Sequence, residues 1–372
     1  MNVLGYVAII VVIGIILGYF LLIAPKSSGQ AQTTIPATTI VNITHTVPNS
    51  SKTNSSFINI SAFKVKWVQT KGYATGIGYE TCPSIANYVY CIGGEFSTNN
   101  YTSNAYYSSM SDNGIGGWIE TIPNQIIPTN CIPYKNEIFC VTGKLISNPK
   151  TTINTSYYAY ANATGLSLWN ETNSYPINAT TNGCATVGIV IYCIGGQQGA
   201  SLISKSYYAP ISNTGIGGWN QTTPLPVSSN PHCYIFSTTI YCLGSYTNSN
   251  NILTNYDYYA QTSSTGLSSW KATKPAPNPP GTYQCSLYSN FIYCVGGQYN
   301  MSNESAVYYT GLSQGGVNGW HAAVAYPILM WTSSISCTTY NNDTFCIGGS
   351  QGDSSSGPQY LLNNTYYTKS FI

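Results

Sequence analysis

The chain has 372 residues, of which only 6% are Asp, Glu, Lys or Arg; it contains no arginine, and its formal charge is +2. Its lysines are dispersed, so there is no basic stripe to grip phosphates, which argues against a nucleic-acid partner. The apolar share of 43% is enough for a core, and the length suits a single large repeat domain better than two average ones.

Residues 3–24 form one apolar run, VLGYVAIIVVIGIILGYFLLIA. It is long enough to cross a bilayer and longer than the core of a usual cleaved signal, so residues 1–25 are expected to be a transmembrane signal anchor. Lys26 on the far side would by itself reverse the orientation. The even, regular cysteines outweigh that lysine and place the domain on an oxidising exterior. Residues 26–62 are rich in Ser, Thr, Asn and Pro and poor in aromatics, the composition of a flexible stalk. Sequons for N-glycosylation crowd into it at Asn42, Asn49, Asn54 and Asn59. Others follow at Asn100, Asn154, Asn162, Asn170, Asn178, Asn220, Asn300, Asn303, Asn342 and Asn363. In a chain this rich in Asn, Ser and Thr, chance supplies many of them.

From residue 63 onward the cysteines set the pattern. All twelve fall into six Cys-x8-Cys pairs: Cys82 with Cys91, Cys131 with Cys140, Cys184 with Cys193, Cys233 with Cys242, Cys285 with Cys294, and Cys337 with Cys346. The pairs recur about every fifty residues, a period that reads as one propeller blade per unit. Within a unit the first cysteine lies on one strand. The second lies on the next, followed by a glycine pair as in Cys346-Ile347-Gly348-Gly349. A third strand carries a tyrosine pair (106–107, 157–158, 207–208, 258–259, 308–309, 366–367). A fourth opens on Trp118, Trp169, Trp219, Trp270 or Trp320, always eleven residues after the second tyrosine. Aromatic and β-branched runs broken by Gly, Asn and Ser are strand signatures.

Eight intervening residues fit three facing pairs around a two-residue turn. The cysteines then meet at a non-hydrogen-bonded position, where Cα atoms come closest. The turns this predicts are Ala86-Asn87, Lys135-Asn136, Gly188-Ile189, Ser237-Thr238, Ser289-Asn290 and Asn341-Asn342. Six local cystines are therefore expected. A metal site is not, because the spacing is wrong and only His232 and His321 lie in the domain. No cofactor is implied.

The sixth unit lacks a tryptophan strand, while an orphan one, Lys64-Val65-Lys66-Trp67-Val68, precedes the first. Trp67 lies one repeat period before Trp118, so the N-terminal strand is expected to complete the last blade and close the ring. The fold expected over 63–372 is an all-β, six-bladed propeller of four-stranded antiparallel blades, preceded by one transmembrane helix. Gly-Gly, then Tyr, then Trp at this period resembles the Kelch repeat. Thr142-Gly143 and Gly244-Ser245 depart from the glycine pair, and the charged turns common in Kelch domains are absent, which weakens transfer of any Kelch ligand.

The glycine-to-tyrosine loops and tryptophan-to-cysteine connections vary in length; the other two turns do not. In an up-and-down blade the variable segments share one face, where function is expected. Those loops are 95–100, 144–154, 198–205, 245–255, 298–305 and 350–364. The strictly repeated aromatics read as blade-to-blade packing, which leaves the non-periodic Tyr299, Trp331 and Tyr360 as contact candidates. The functional expectation is a membrane-anchored surface module that binds a protein or glycan outside the cell. Two alternatives are a glycan-processing enzyme and a virion or filament subunit. A glycosidase needs two carboxylates facing one sugar. Glu80, Glu95, Glu120, Glu137, Glu171, Asp257, Asp343 and Asp353 are candidates by elimination, and their convergence is not readable from sequence. No catalytic residue is assigned.

Overall fold

A computed structural model describes residues 66–369, apart from 98, 182, 246–247, 250–251, 254–255, 278–282, 297, 300–301, 304, 330 and 352–359. The apolar run 3–24, segment 26–62 with its four sequons, Asn300 and Asp353 lie outside the described residues. Among the described residues no helix is long and apolar enough to cross a membrane.

Among the described residues the architecture is an all-β propeller with six main sheets, one per cysteine pair, and three two-stranded ribbons. Unit 2 shows the order. Cys131–Tyr134 pairs with Glu137–Lys144, which pairs with Thr152–Asn162, and Asn170–Thr172 lies outermost, all antiparallel. In unit 6 the strands are Trp331–Tyr340, Asp343–Gln351 and Thr365–Lys369. There Val68 faces Tyr367 and Gln69 faces Tyr366. The second strand of each unit is the most apolar, because it is covered on both sides by neighbouring sheets. Ile138, Phe139, Cys140 and Val141 have no exposed surface, and such a run has no polar face to alternate with.

All six expected cystines form. Cys82 is bonded to Cys91, Cys131 to Cys140, Cys184 to Cys193, Cys233 to Cys242, Cys285 to Cys294 and Cys337 to Cys346, with Cα atoms 4.0–4.1 Å apart. The second cysteines lie deepest: Cys193 and Cys242 have no exposed surface, and Cys294 has 1%. Thr81 and Ile92, just outside Cys82 and Cys91, exchange both backbone hydrogen bonds, so each cystine takes the neighbouring non-hydrogen-bonded place. The turns fall where the spacing puts them. Their first residues, Ala86, Lys135, Gly188, Ser237, Ser289 and Asn341, all have φ between 51° and 57°. Five of these carry side chains, at about 1–2 kcal/mol each in the left-handed region. A cystine closing so short a loop contributes roughly 2–3 kcal/mol, enough to offset that.

Two repeated hydrogen bonds join neighbouring units. The indole Nε1 of Trp169, Trp219, Trp270 and Trp320 donates to the carbonyls of Ile122, Asn173, Thr223 and Lys274 in the preceding unit. Trp67 Nε1 donates likewise to Val324 O at 3.1 Å. The second is a threonine hook. Thr70, Thr121, Thr172, Thr222 and Thr273 each accept, at 2.7–2.9 Å, the amide of Ile115, Leu166, Ile216, Leu267 or Val317 in the next unit. The residue before each amide is glycine because the hook leaves no room. At Gly114 (φ 110°) a Cβ would lie 2.2 Å from Thr70 Oγ1. The apolar clusters also sit between units: Phe139 and Val141 of unit 2 pack with Ile191, Tyr207 and Trp219 of unit 3. The repeated aromatics are thus packing residues.

Candidate functional site at the mouth of the channel

The first strands surround a central channel of about 360 Å³. The residues just before the first cysteines form a polar collar: Thr81, Asn130, His232, Gln284 and Ser336. Part of it is structural. Thr81 Oγ1 accepts the amide of Cys131 at 3.0 Å, and Ser336 Oγ accepts that of Cys82 at 3.1 Å. Glu80 is the one carboxylate in the lining. Burial pushes its carboxyl up to about 8, and the same cause pushes His232 down to about 4. Both are therefore uncharged at neutral pH. The channel wall offers hydrogen bonds without a field, which suits neutral polar groups better than ions.

Above the channel, the connection from Trp67 to Cys82 ties two loops together. Ile77 bridges to Leu362 of unit 6, and Gly78 bridges to Glu95 of unit 1. Tyr79, next in line, has φ 61° and is 39% exposed. Its amide donates to Ser334 O. Holding a tyrosine in the left-handed region costs energy, and strain of this kind gathers at functional sites. Tyr360, two residues before Leu362 on unit 6, is paired with Gln351 and 64% exposed. On the other side Lys144 Nζ lies 4.3 Å from the ring centre of Tyr101. Glu95 presses on both: it raises the Tyr101 hydroxyl in addition to burial, and it opposes the lowering of Lys144 by burial. Glu95 Oε1 also accepts the amide of Asn99 at 2.6 Å. Units 6, 1 and 2 thus present Tyr360, Tyr79, Tyr101 and Lys144 on the variable face.

The expected contact residues divide. Trp331 and Leu361 both pair with Ser350, so Trp331 and Tyr360 share one strand end. Tyr299 lies in unit 5, paired with Ser302. Tyr79, Tyr101 and Lys144 are additional. Nothing periodic marks them, and the bridges of residues 77–78 join the segment of Tyr79 to the loops of Leu362 and Glu95.

The acids scatter. Glu120 and Glu171 are exposed on outer strands, while Glu137 and Asp343 follow the inner turns on the opposite face. Asp257 is buried in unit 4, where it accepts the amides of Gly244 and Ala276 at 2.9 and 3.0 Å. Among the described residues no group of His, Cys, Asp and Glu is arranged to hold a metal. No protein-family model matches the chain, and no curated protein matches it.

Proposed function

We propose that this protein is a binding module of the cell surface, anchored by residues 1–25, raised on the 26–62 stalk, and working outside the cell. The propeller is read as Kelch-like, with the strand of Trp67 closing the ring. The Trp67–Val324 bond and the pairing of Val68 with Tyr367 support the closure. The left-handed glycine pairs 93–94, 195–196 and 348–349 support the likeness. The six cystines support an oxidising exterior.

The observation that carries the binding reading is the gathering of Tyr79, Tyr360, Tyr101 and Lys144 on the variable face, beside an uncharged channel mouth. Tyrosines give large, rigid contact area with a polar tip, and an uncharged wall suits sugar hydroxyls or the neutral surface of a protein. The ligand is read as a surface glycan or a glycan-bearing protein.

The test is a glycan and envelope-protein binding screen with the detergent-solubilised full chain. Tyr79→Ala with Tyr360→Ala should weaken the hit at least about tenfold, the loss typical of contact tyrosines. Tyr160→Ala, exposed on the opposite face, should leave it unchanged. Equal loss from Tyr160→Ala, or no ligand at all, would count against the reading. Turnover of a sugar that vanishes in Glu80→Gln would replace binding with catalysis.

A further inference from the structure

Eight sequons have described side chains, at Asn100, Asn154, Asn162, Asn170, Asn178, Asn220, Asn342 and Asn363. A folded acceptor must offer both the Asn amide and the Ser or Thr hydroxyl two residues on. In seven of these sequons the hydroxyl is either buried or already hydrogen-bonded by the fold. Thr172 and Thr222, which complete the sequons of Asn170 and Asn220, are hooks on the next unit. Thr70, Thr121 and Thr273 hold the same place without any sequon, so packing accounts for those threonines. Ser156, Thr344 and Thr365 have no exposed surface. Thr102 is 8% exposed and accepts the amide of Asn104. Thr180 is half-buried, with its hydroxyl turned to Gln197 O. Asn154 is excluded twice, because its own Nδ2 donates to Tyr175 O at 2.7 Å.

Asn162 differs. It occupies the turn between the third and fourth strands of unit 2, and Asn162, Ala163 and Thr164 are all exposed. Its Oδ1 accepts both the amide of Thr164, at 2.8 Å, and the Thr164 hydroxyl, at 2.6 Å. The sequon is thereby curled with its hydroxyl against the side-chain amide, and Nδ2 is left to solvent. The plain alternative is that Asn162 only caps the turn. Ser111, Ser212, Ser263 and Ser313 cap the equivalent turns through their hydroxyls, so the turn does not require asparagine.

We propose that Asn162 is the N-glycan acceptor of the folded propeller. Its Nδ2 attacks the anomeric carbon of a lipid-phosphate-linked sugar. The carbon–nitrogen bond forms as the carbon–oxygen bond to phosphate breaks; the phosphate leaves with the electron pair, and Nδ2 releases one proton. The biological setting rests on the exterior placement argued above, but the chemistry does not.

The experiment treats the disulfide-bonded full chain with an oligosaccharyltransferase and a lipid-linked oligosaccharide, and maps glycopeptides by mass spectrometry. Asn162 should be occupied at least tenfold above the other seven positions. Asn162→Gln and Thr164→Val should each abolish that peptide with the cystines intact. Ser212→Asn, which precedes Asn213 and Thr214, should create a second acceptor in unit 3. Modification of Asn170 or Asn220 as fast as Asn162 would overturn the proposal. So would an unmodified Asn162, whether or not Ser212→Asn gains a glycan. Reduced thiols in the protein taken from cells would sink the exterior reading alone, and loss of the variable-face ligand would bear only on the binding reading.

Discussion

Asp257 in unit 4 and Glu80 at the channel mouth are both buried carboxyls, 2% and 6% exposed, and the fold treats them differently. Asp257 binds two backbone amides. Neither oxygen of Glu80 has a hydrogen-bond partner among the described residues. The repeat explains the first. In five other connections the amide six residues after the tryptophan is bound by a main-chain carbonyl. Ser103 serves Asn124, Asn154 serves Tyr175, Ser204 serves Leu225, Ser305 serves Tyr326 and Asn363 serves Tyr73. In unit 4 the corresponding amide, Ala276, donates to the Asp257 carboxylate. Asp257 therefore holds a repeated amide with its side chain, and its other oxygen holds Gly244, where the glycine pair is broken. Glu80 holds no such amide among the described residues. A buried group that is costly and structurally idle is a candidate for function.

The comparison breaks most directly at unit 4. Asp257→Ala removes a carboxylate acceptor from two buried amides, those of Gly244 and Ala276, and a lost acceptor of this kind costs about 1–3 kcal/mol. Denaturant unfolding of the oxidised protein should show a loss of about 3 kcal/mol. A loss below about 1 kcal/mol would mean that water replaces the carboxylate, and that the contrast with Glu80 is not one of structural need.

The hooks sharpen the same distinction at smaller scale. Thr172→Val keeps the shape but leaves the Ile216 amide unpaired, and should cost about 1–2 kcal/mol. The sixth equivalent position is Ala323, facing a unit without the glycine–tryptophan turn. Ala323→Thr should therefore change the unfolding midpoint little. If the two substitutions behave alike, the hook is not a specific joint.

These contrasts also mark what sequence could reveal. The cystines, their turns and the sheet count were legible because each rests on a local spacing repeated six times. The hook was legible in principle, since a threonine follows five tryptophans at the same distance, but its meaning lies in a turn about 45 residues away. The binding face was not legible. Tyr79, Tyr101 and Lys144 occupy unrelated repeat positions, and the bridges at Ile77 and Gly78 that join the segment of Tyr79 to the loops of Leu362 and Glu95 exist only in the folded chain. The idleness of Glu80 was equally hidden, because a hydrogen-bond inventory belongs to the folded chain.

The smallest effect, and the one that isolates Glu80, is expected from Glu80→Gln. At pH 4.5 the variant and parent should agree within about 1 kcal/mol, because an uncharged acid is replaced by an uncharged amide. The difference should open as pH rises. Burial holds Glu80 at about 8 in the folded state against an ordinary 4.5. The unfolded chain therefore releases a proton that the folded chain keeps, and stability falls from the ordinary value up to the raised one. Asp257, raised to about 7, adds to the fall mostly below that point and tails off above it. His232, lowered from 6.5 to about 4, has the opposite sign and weakens the fold as pH drops between those values. The hydroxyls of Tyr73 and Tyr326, which feel the Glu80 charge, are raised well above their ordinary value and stay protonated. Between pH 7 and 8 most of the slope then belongs to Glu80. Over that unit the parent should lose about 1 kcal/mol more than Glu80→Gln. Unfolding curves at pH 7 and 8 decide it: equal slopes in the two proteins would show that water or a bound group already satisfies the carboxyl, and Glu80 would then resemble Asp257 after all.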